Sequence, residues 1–316
     1  MFAPVARLIG HTADVIKGSF DTDRITTASA DSTLKIWDIE TVALLKSLAN
    51  HACDVSDFKS SGALIISVAA DGSRLWDTRT TSAPVVLTKD NLTSLALPGG
   101  NNMREITFSN REGEILCFDL IAGKYRCRAK AHRQSICNIY YGEDNSQFLT
   151  SGLDGVMRLW STVNLECLAS FSTPAKNKCL FSRFLSNSIV AGLFNDGSVR
   201  QWNLTDRIYT SKTSKGFNVG NSCKNFTTLP AGAIIAPNAD GGIDTLASGD
   251  EQIRKSVRAH SDDASHVDFA INAMVPMIIT CGYGLDCSAV IWREVSETEP
   301  RPKISFHEVF PQIVGL

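Results

Sequence analysis

Leu8-Ile9-Gly10-His11-Thr12, then Ile25-Thr26-Thr27-Ala28-Ser29-Ala30-Asp31, then Thr33-Leu34-Lys35-Ile36-Trp37-Asp38: three short runs near the start of the chain share one grammar. Each is rich in apolar and β-branched residues, and turn formers separate them. That is how short strands joined by hairpins read. Three polar landmarks stand inside the pattern: His11, Asp31 and the pair Trp37-Asp38. Asp31 precedes Trp37 by six positions, which leaves room for one hairpin turn between two strands.

Working outward, the landmarks recur. The five tryptophans are Trp37, Trp76, Trp160, Trp202 and Trp292, separated by 39, 84, 42 and 90 positions. These are one or two steps of a period near 42, and a 40–45-residue period carrying Trp-Asp marks a propeller blade. The second unit offers His51, Asp71 and Trp76-Asp77. The third places Phe118-Asp119 in the tryptophan slot and Glu112 in the aspartate slot, with no opening histidine. The fourth has His132, Ser151, Asp154-Gly155 and Trp160. The fifth keeps Asp196-Gly197 and Trp202 but has Thr173-Pro174 in the histidine region. The sixth retains a turn, Asn238-Ala239-Asp240-Gly241, with Leu246 in the tryptophan slot. The seventh recovers His260, Asp286 and Trp292. Seven units, three of them worn, predict an all-β fold of seven four-stranded blades. One blade alone cannot bury its faces, so neighbours must stack around a ring.

This Gly-His … Asp … Trp-Asp pattern closely resembles the WD-repeat family of β-propellers, over nearly the whole chain. The resemblance implies a buried polar network in each intact unit, linking His11, Thr27 or Ser29, Asp31 and Trp37 in the first. A buried indole N–H and imidazole need partners, and a satisfied network stiffens the blade. It also implies that Asp196 and Trp202 keep part of that network in the fifth unit.

The ends predict closure. Val5-Ala6-Arg7-Leu8-Ile9 precedes the first Gly-His, where the outer strand of an earlier blade would lie. The seventh unit runs out after Val290-Ile291-Trp292-Arg293-Glu294-Val295, its third strand. Residues 4–9 are therefore expected to complete the last blade, burying Val5, Leu8 or Ile9. The propeller is expected to span residues 1–295. Residues 296–316 form an extension, in which Ile304, Phe306 and Phe310 suggest docking on the propeller.

Composition points away from several classes. Lys plus Arg total 31 and Asp plus Glu 33, so a net charge of −2 gives no pull toward nucleic acid or an anionic membrane. No apolar run approaches a membrane span, and the first residues lack the layout of a secretory signal. A cytoplasmic or nuclear protein is expected. The nine cysteines contain no Cys-x-x-Cys pair, so no metal site is expected. Four of the six histidines are absorbed by the repeats, leaving His266 and His307. No hydrolase or phosphate-loop motif accompanies them, so no catalytic role and no cofactor is expected, and a propeller-fold enzyme built on His266 or His307 is the remote alternative.

Binding is the function that remains: a non-catalytic scaffold for protein or peptide partners within a larger complex. Asp14, Asp54 and Asp263 each stand three residues after a repeat histidine, with Asp262 beside the last. They belong to units adjacent in a closed ring, and the resemblance implies that this position lies on a docking face. Such an acidic arc suits a basic segment. Leu153, Phe194 and Leu285 flank the repeat aspartates and are candidate apolar anchors. Trp76-Asp77-Thr78-Arg79 resembles the Trp-Asp-x-Arg motif of cullin ubiquitin-ligase receptors, which makes Arg79 a candidate contact and receptor function the alternative.

Overall fold

The computed structural model describes residues 2–294 apart from positions 22, 100–103, 174–176, 206–210, 221–222, 231, 248–252, 256–257, 273–274 and 285. The described residues form seven four-stranded antiparallel sheets, the blades of a β-propeller. Blades 1 to 6 each use four strands consecutive in sequence. The innermost strands run Val15–Phe20, Val55–Ser61, Leu92–Ala96, Ile136–Tyr141, Cys179–Ser186 and Thr227–Thr228. Blade 7 is made from Ala264–Asn272, Val275–Gly282 and Ser288–Glu294, and its fourth, outermost strand is Phe2–Ile9 from the start of the chain.

The ring closes as the sequence predicts, with two corrections. The closing strand begins at Phe2, pairing antiparallel with Glu294, rather than at residue 4. Leu8 is buried, whereas Val5 is 36% and Ile9 52% exposed. A register shift between Pro4 and Ala6 explains this. The bulge turns the strand over, so Phe2 packs into the seam between blades 6 and 7 while Ala6 and Leu8 pack toward blade 1. Residues 296–316, including His307 and the apolar positions of the extension, lie outside the described residues.

Burial follows the seams. Seven apolar clusters alternate with the seven blades, each joining two neighbours. Ala28, Leu34 and Ile36 of blade 1 meet Phe58, Ile65 and Trp76 of blade 2. Leu149, Met157 and Leu159 of blade 4 meet Val190, Phe194 and Trp202 of blade 5. Polar stitches near the axis add to these seams. Asp57 of blade 2 accepts from Ser94 Oγ at 2.7 Å and Leu95 N at 3.0 Å in blade 3. Asp268 of blade 7 accepts from Ser19 Oγ at 2.7 Å in blade 1. Asn225 accepts from Val267 N at 2.9 Å between blades 6 and 7.

Candidate functional site

Four blades carry the same buried relay. In blade 1, His11 Nδ1 meets Asp31 Oδ2 at 2.8 Å and His11 Nε2 meets Thr27 Oγ1 at 2.8 Å. The Trp37 indole N–H donates to that same hydroxyl at 2.8 Å. Thr27 is thus the bridge; Ser29 instead donates to Ala13 O and accepts from Asp31 N. Blade 2 repeats the relay through His51, Asp71, Ser67 and Trp76. Blade 7 uses His260, Asp286, Thr280 and Trp292. In blade 4 the bridging hydroxyl is Thr150, not Ser151: Thr150 Oγ1 meets His132 Nε2 at 2.7 Å and Trp160 Nε1 at 2.9 Å. Ser151 Oγ is buried without a partner. Strand alternation decides between the two neighbours, since successive side chains point to opposite faces.

Each aspartate also caps the loop after the histidine, as in the bond from Thr12 N to Asp31 at 3.0 Å. Burial opposes ionisation of Asp71, but hydrogen bonds from Ala52 N, His51 and Arg74 outweigh it and hold the carboxyl at about 2. Burial lowers the pKa of His11, His51, His132 and His260, with the partner aspartates opposing. These residues are structural.

The worn blades show what replaces the relay. In blade 3, Phe118 pairs with Ile106 as Trp37 pairs with Ile25. By that register Phe108 takes the place of the bridging threonine, and the two rings meet edge to face at 6.1 Å. An apolar pair thus substitutes for the hydroxyl and indole together. Glu112 is exposed and does not replace the aspartate. The turn is held instead by Asn110, which bonds Glu114 through both its carboxamide N and O. In blade 5, Gly192 occupies the hydroxyl position by register with Val190 and Trp202, and Asp196 accepts from Ser198 N and Asn177 Nδ2. In blade 6, Leu246 fills the tryptophan slot opposite Ile234 and is buried.

The proposed contact residues separate into groups. Asp14, Asp54 and Asp262 share one region of the rim. The Asp14 carboxyl is raised by burial first; a hydrogen bond from Gly284 N opposes this, while Asp54 and Asp262 push it further up. Asp263 turns the other way: a Cβ on Gly220 would stand 2.6 Å from its Oδ2. Phe194 is a core residue, fully buried with its ring 6.2 Å from Trp202, and cannot anchor a partner. Being next to the turn does not bring it to the surface, because it ends a strand whose side chain points into the seam. Leu153 is half-buried and lines the central channel. Leu285 lies outside the described residues. The Arg79 side chain is 71% exposed and forks onto Asp77, at 2.9 Å from Nε to Oδ1 and 2.7 Å from Nη2 to Oδ2.

Sequence reasoning missed the channel itself. Residues from the inner strands of all seven blades line a cavity of about 620 Å³ on the ring axis. It gathers Lys17, Asp57, Lys59, Arg111, Arg183, Lys224, His266 and Asp268. Lys17 Nζ donates to Asp57 Oδ1 at 2.5 Å and to Phe58 O at 2.8 Å. The signal was present: Lys17, Asp57, Lys59, Arg183, His266 and Asp268 interrupt innermost strands two or four residues after an apolar residue at or near the strand start. His266, the histidine left over from the repeats, faces this cavity from blade 7.

Comparison with known proteins agrees with the geometry. The family model "WD domain, G-beta repeat" matches residues 2–38 and 123–161, which hold the relays of blades 1 and 4. Eukaryotic translation initiation factor 3 subunit I of Bombyx mori is 25% identical over 268 residues, covering 78% of each chain. The DENN domain and WD repeat-containing protein SCD1 of Arabidopsis thaliana is 28% identical over 239 residues, 74% of this chain but 19% of SCD1. Autophagy-related protein 16 of the same plant is 25% identical over 198 residues, 58% of this chain and 38% of that protein. The chain thus spans well under half of the length of the last two. Seven radial sheets, four His–Asp–Thr/Ser–Trp relays and these similarities make the chain a divergent member of the WD-repeat family of β-propellers.

Proposed function

We propose that the protein is a non-catalytic platform, in cytoplasm or nucleus, that holds protein or peptide partners within a larger assembly. Similarity to a protein named as a subunit of a translation initiation factor supports membership of an assembly. A ring of stacked blades is a stiff scaffold, so little ordering cost falls on its side when a partner binds.

The acidic rim is the contact surface, and it takes a Lys/Arg-rich segment. The observation behind this is the upward shift of Asp14 through burial and through the charges of Asp54 and Asp262. Burial and the charges of Asp54 and Asp262 raise the cost of ionising Asp14, and a bound cation relieves it. Binding should show fast, salt-sensitive association. The test is a Lys/Arg-rich peptide titrated against the wild type and the triple variant Asp14→Asn, Asp54→Asn, Asp262→Asn. The variant is expected to lose about tenfold in association rate at low ionic strength. Equal rates for the two proteins would remove the rim from consideration.

A further inference from the structure

The central channel holds hydrogen-bond donors that no acceptor meets. Asn225 is oriented by blade 7, since its Oδ1 accepts from Val267 N at 2.9 Å and its Nδ2 donates to Val267 O at 2.7 Å. The same Nδ2 lies 3.1 Å from His266 Nε2, so that ring nitrogen is the acceptor and the proton of the neutral ring sits on Nδ1. His266 Nδ1 is buried and unpartnered. Arg183 donates from Nη1 to Thr227 Oγ1 at 3.0 Å and from Nη2 to Tyr140 OH at 3.4 Å, and its guanidinium lies 5.4 Å from the Tyr140 ring centre. Its Nε–H is buried and unmet. The Lys59 ammonium lines the same channel, in the field of Lys17, Asp57, Asp268 and Arg183.

These groups occupy two adjacent layers. Lys59, Arg183 and Asp268 each stand four residues after the apolar residue that opens or nearly opens their inner strand, Val55, Cys179 and Ala264. Lys17, Asp57 and His266 stand two residues after theirs, one layer nearer the histidine loops. Lys17 crowds Lys59 electrostatically, and with burial this lowers its pKa to about 8. The two carboxylates do not fill the need. Asp57 spends both oxygens on Lys17, Phe58 N, Ser94 and Leu95. Asp268 gives Oδ2 to Ser19 and Phe20. Five cations, Lys17, Lys59, Arg111, Arg183 and Lys224, therefore face two carboxylates, and the unmet polar groups are N–H donors. A buried donor left unmet is costly, and the ligand that satisfies it must be an acceptor carrying negative charge.

We propose that the channel is a binding site for a small multivalent oxyanion of the phosphate class, gripped by Lys59, Arg183 Nε–H and His266 Nδ1–H, with Lys17 and Lys224 adding positive field. A cavity of about 620 Å³ holds a pyrophosphate-sized group with room to spare, so a phosphorylated metabolite and an inorganic phosphate are both candidate sources.

The test is isothermal titration of the full chain with orthophosphate and with pyrophosphate, alongside melting curves with sodium chloride at matched ionic strength. Saturable binding of pyrophosphate, and a rise in Tm that chloride does not reproduce, are expected. Tighter binding of pyrophosphate than of orthophosphate points to a phosphorylated metabolite; equal binding points to the inorganic ion. Lys59→Met should weaken binding by about ten- to hundredfold, as losing a charged hydrogen bond does. Asp268→Asn removes an opposing charge and should tighten it. The two variants shift affinity in opposite directions, so loss of folding in one leaves the other decisive. No saturable binding to the wild type, or affinity unmoved by both variants, overturns the site.

Discussion

At the scale of the residue, one hydroxyl holds each relay together. Thr150 serves His132 and Trp160 at once, while its neighbour Ser151 serves nothing. Thr150→Val keeps the shape but strands a buried imidazole nitrogen and a buried indole N–H, each costing about 1–3 kcal/mol. Ser151→Ala removes a group with no partner and should be close to neutral or mildly stabilising. Denaturant unfolding of the two variants measures the contrast, and similar losses in both would refute the assignment of the bridge. His, Asp and Trp were legible because they are rare and sit at fixed spacing. The hydroxyl was not, since Thr26, Thr27 and Ser29, or Thr150 and Ser151, crowd together and only strand phase separates them. The same blindness to phase made Phe194 look like a rim anchor when it is core. The channel charges went unread for a related cause: no single unit shows them, and they converge only when seven innermost strands meet on an axis.

At the scale of the element, the strand Phe2–Ile9 carries the ring's closure. Leu8 is buried among Val15, Ile25 and Ile291, whereas Ile9 faces outward. Leu8→Ala should cost about 2–5 kcal/mol, the range for a buried leucine, and Ile9→Ala much less. Removing residues 1–9 also uncovers the whole Ser288–Glu294 edge, so Tm is expected to fall by more than for Leu8→Ala alone. A truncated protein that melts like the wild type would show that the strand is dispensable. The complementarity of a missing fourth strand and an orphan first strand was readable from repeat counting. The bulge at Pro4/Ala6 was not, because a one-residue shift in pairing leaves no trace in composition.

At the scale of the whole molecule, the four relays act in concert on pH. His11, His51, His132 and His260 have folded pKa values below the ordinary 6.5, through burial. Below pH 6.5 the unfolded chain therefore binds protons that the folded one refuses, so stability declines as the medium acidifies. Asp31, Asp71, Asp154 and Asp286 have folded values below the ordinary 3.8. Their contribution is complete above that value and is lost as pH falls toward the folded values, about 2 for Asp71. Both sets share one sign. Thermal melts should give the highest Tm near neutrality, a decline beginning below about pH 6.5 and a second below about pH 4; a level profile between pH 7 and 4 would contradict the neutral-histidine assignment.

The pairing of Phe2–Ile9 with Ser288–Glu294 also sets an order of events in the cell. Phe2–Ile9 is synthesised before Ser288–Glu294 and must wait, unpaired, until that strand has left the ribosome. Six sheets are able to assemble from neighbours as synthesis proceeds; the seventh is not. Until Ser288–Glu294 emerges, the propeller is an open arc with a bare edge, and an open arc is what a chaperone would need to shield.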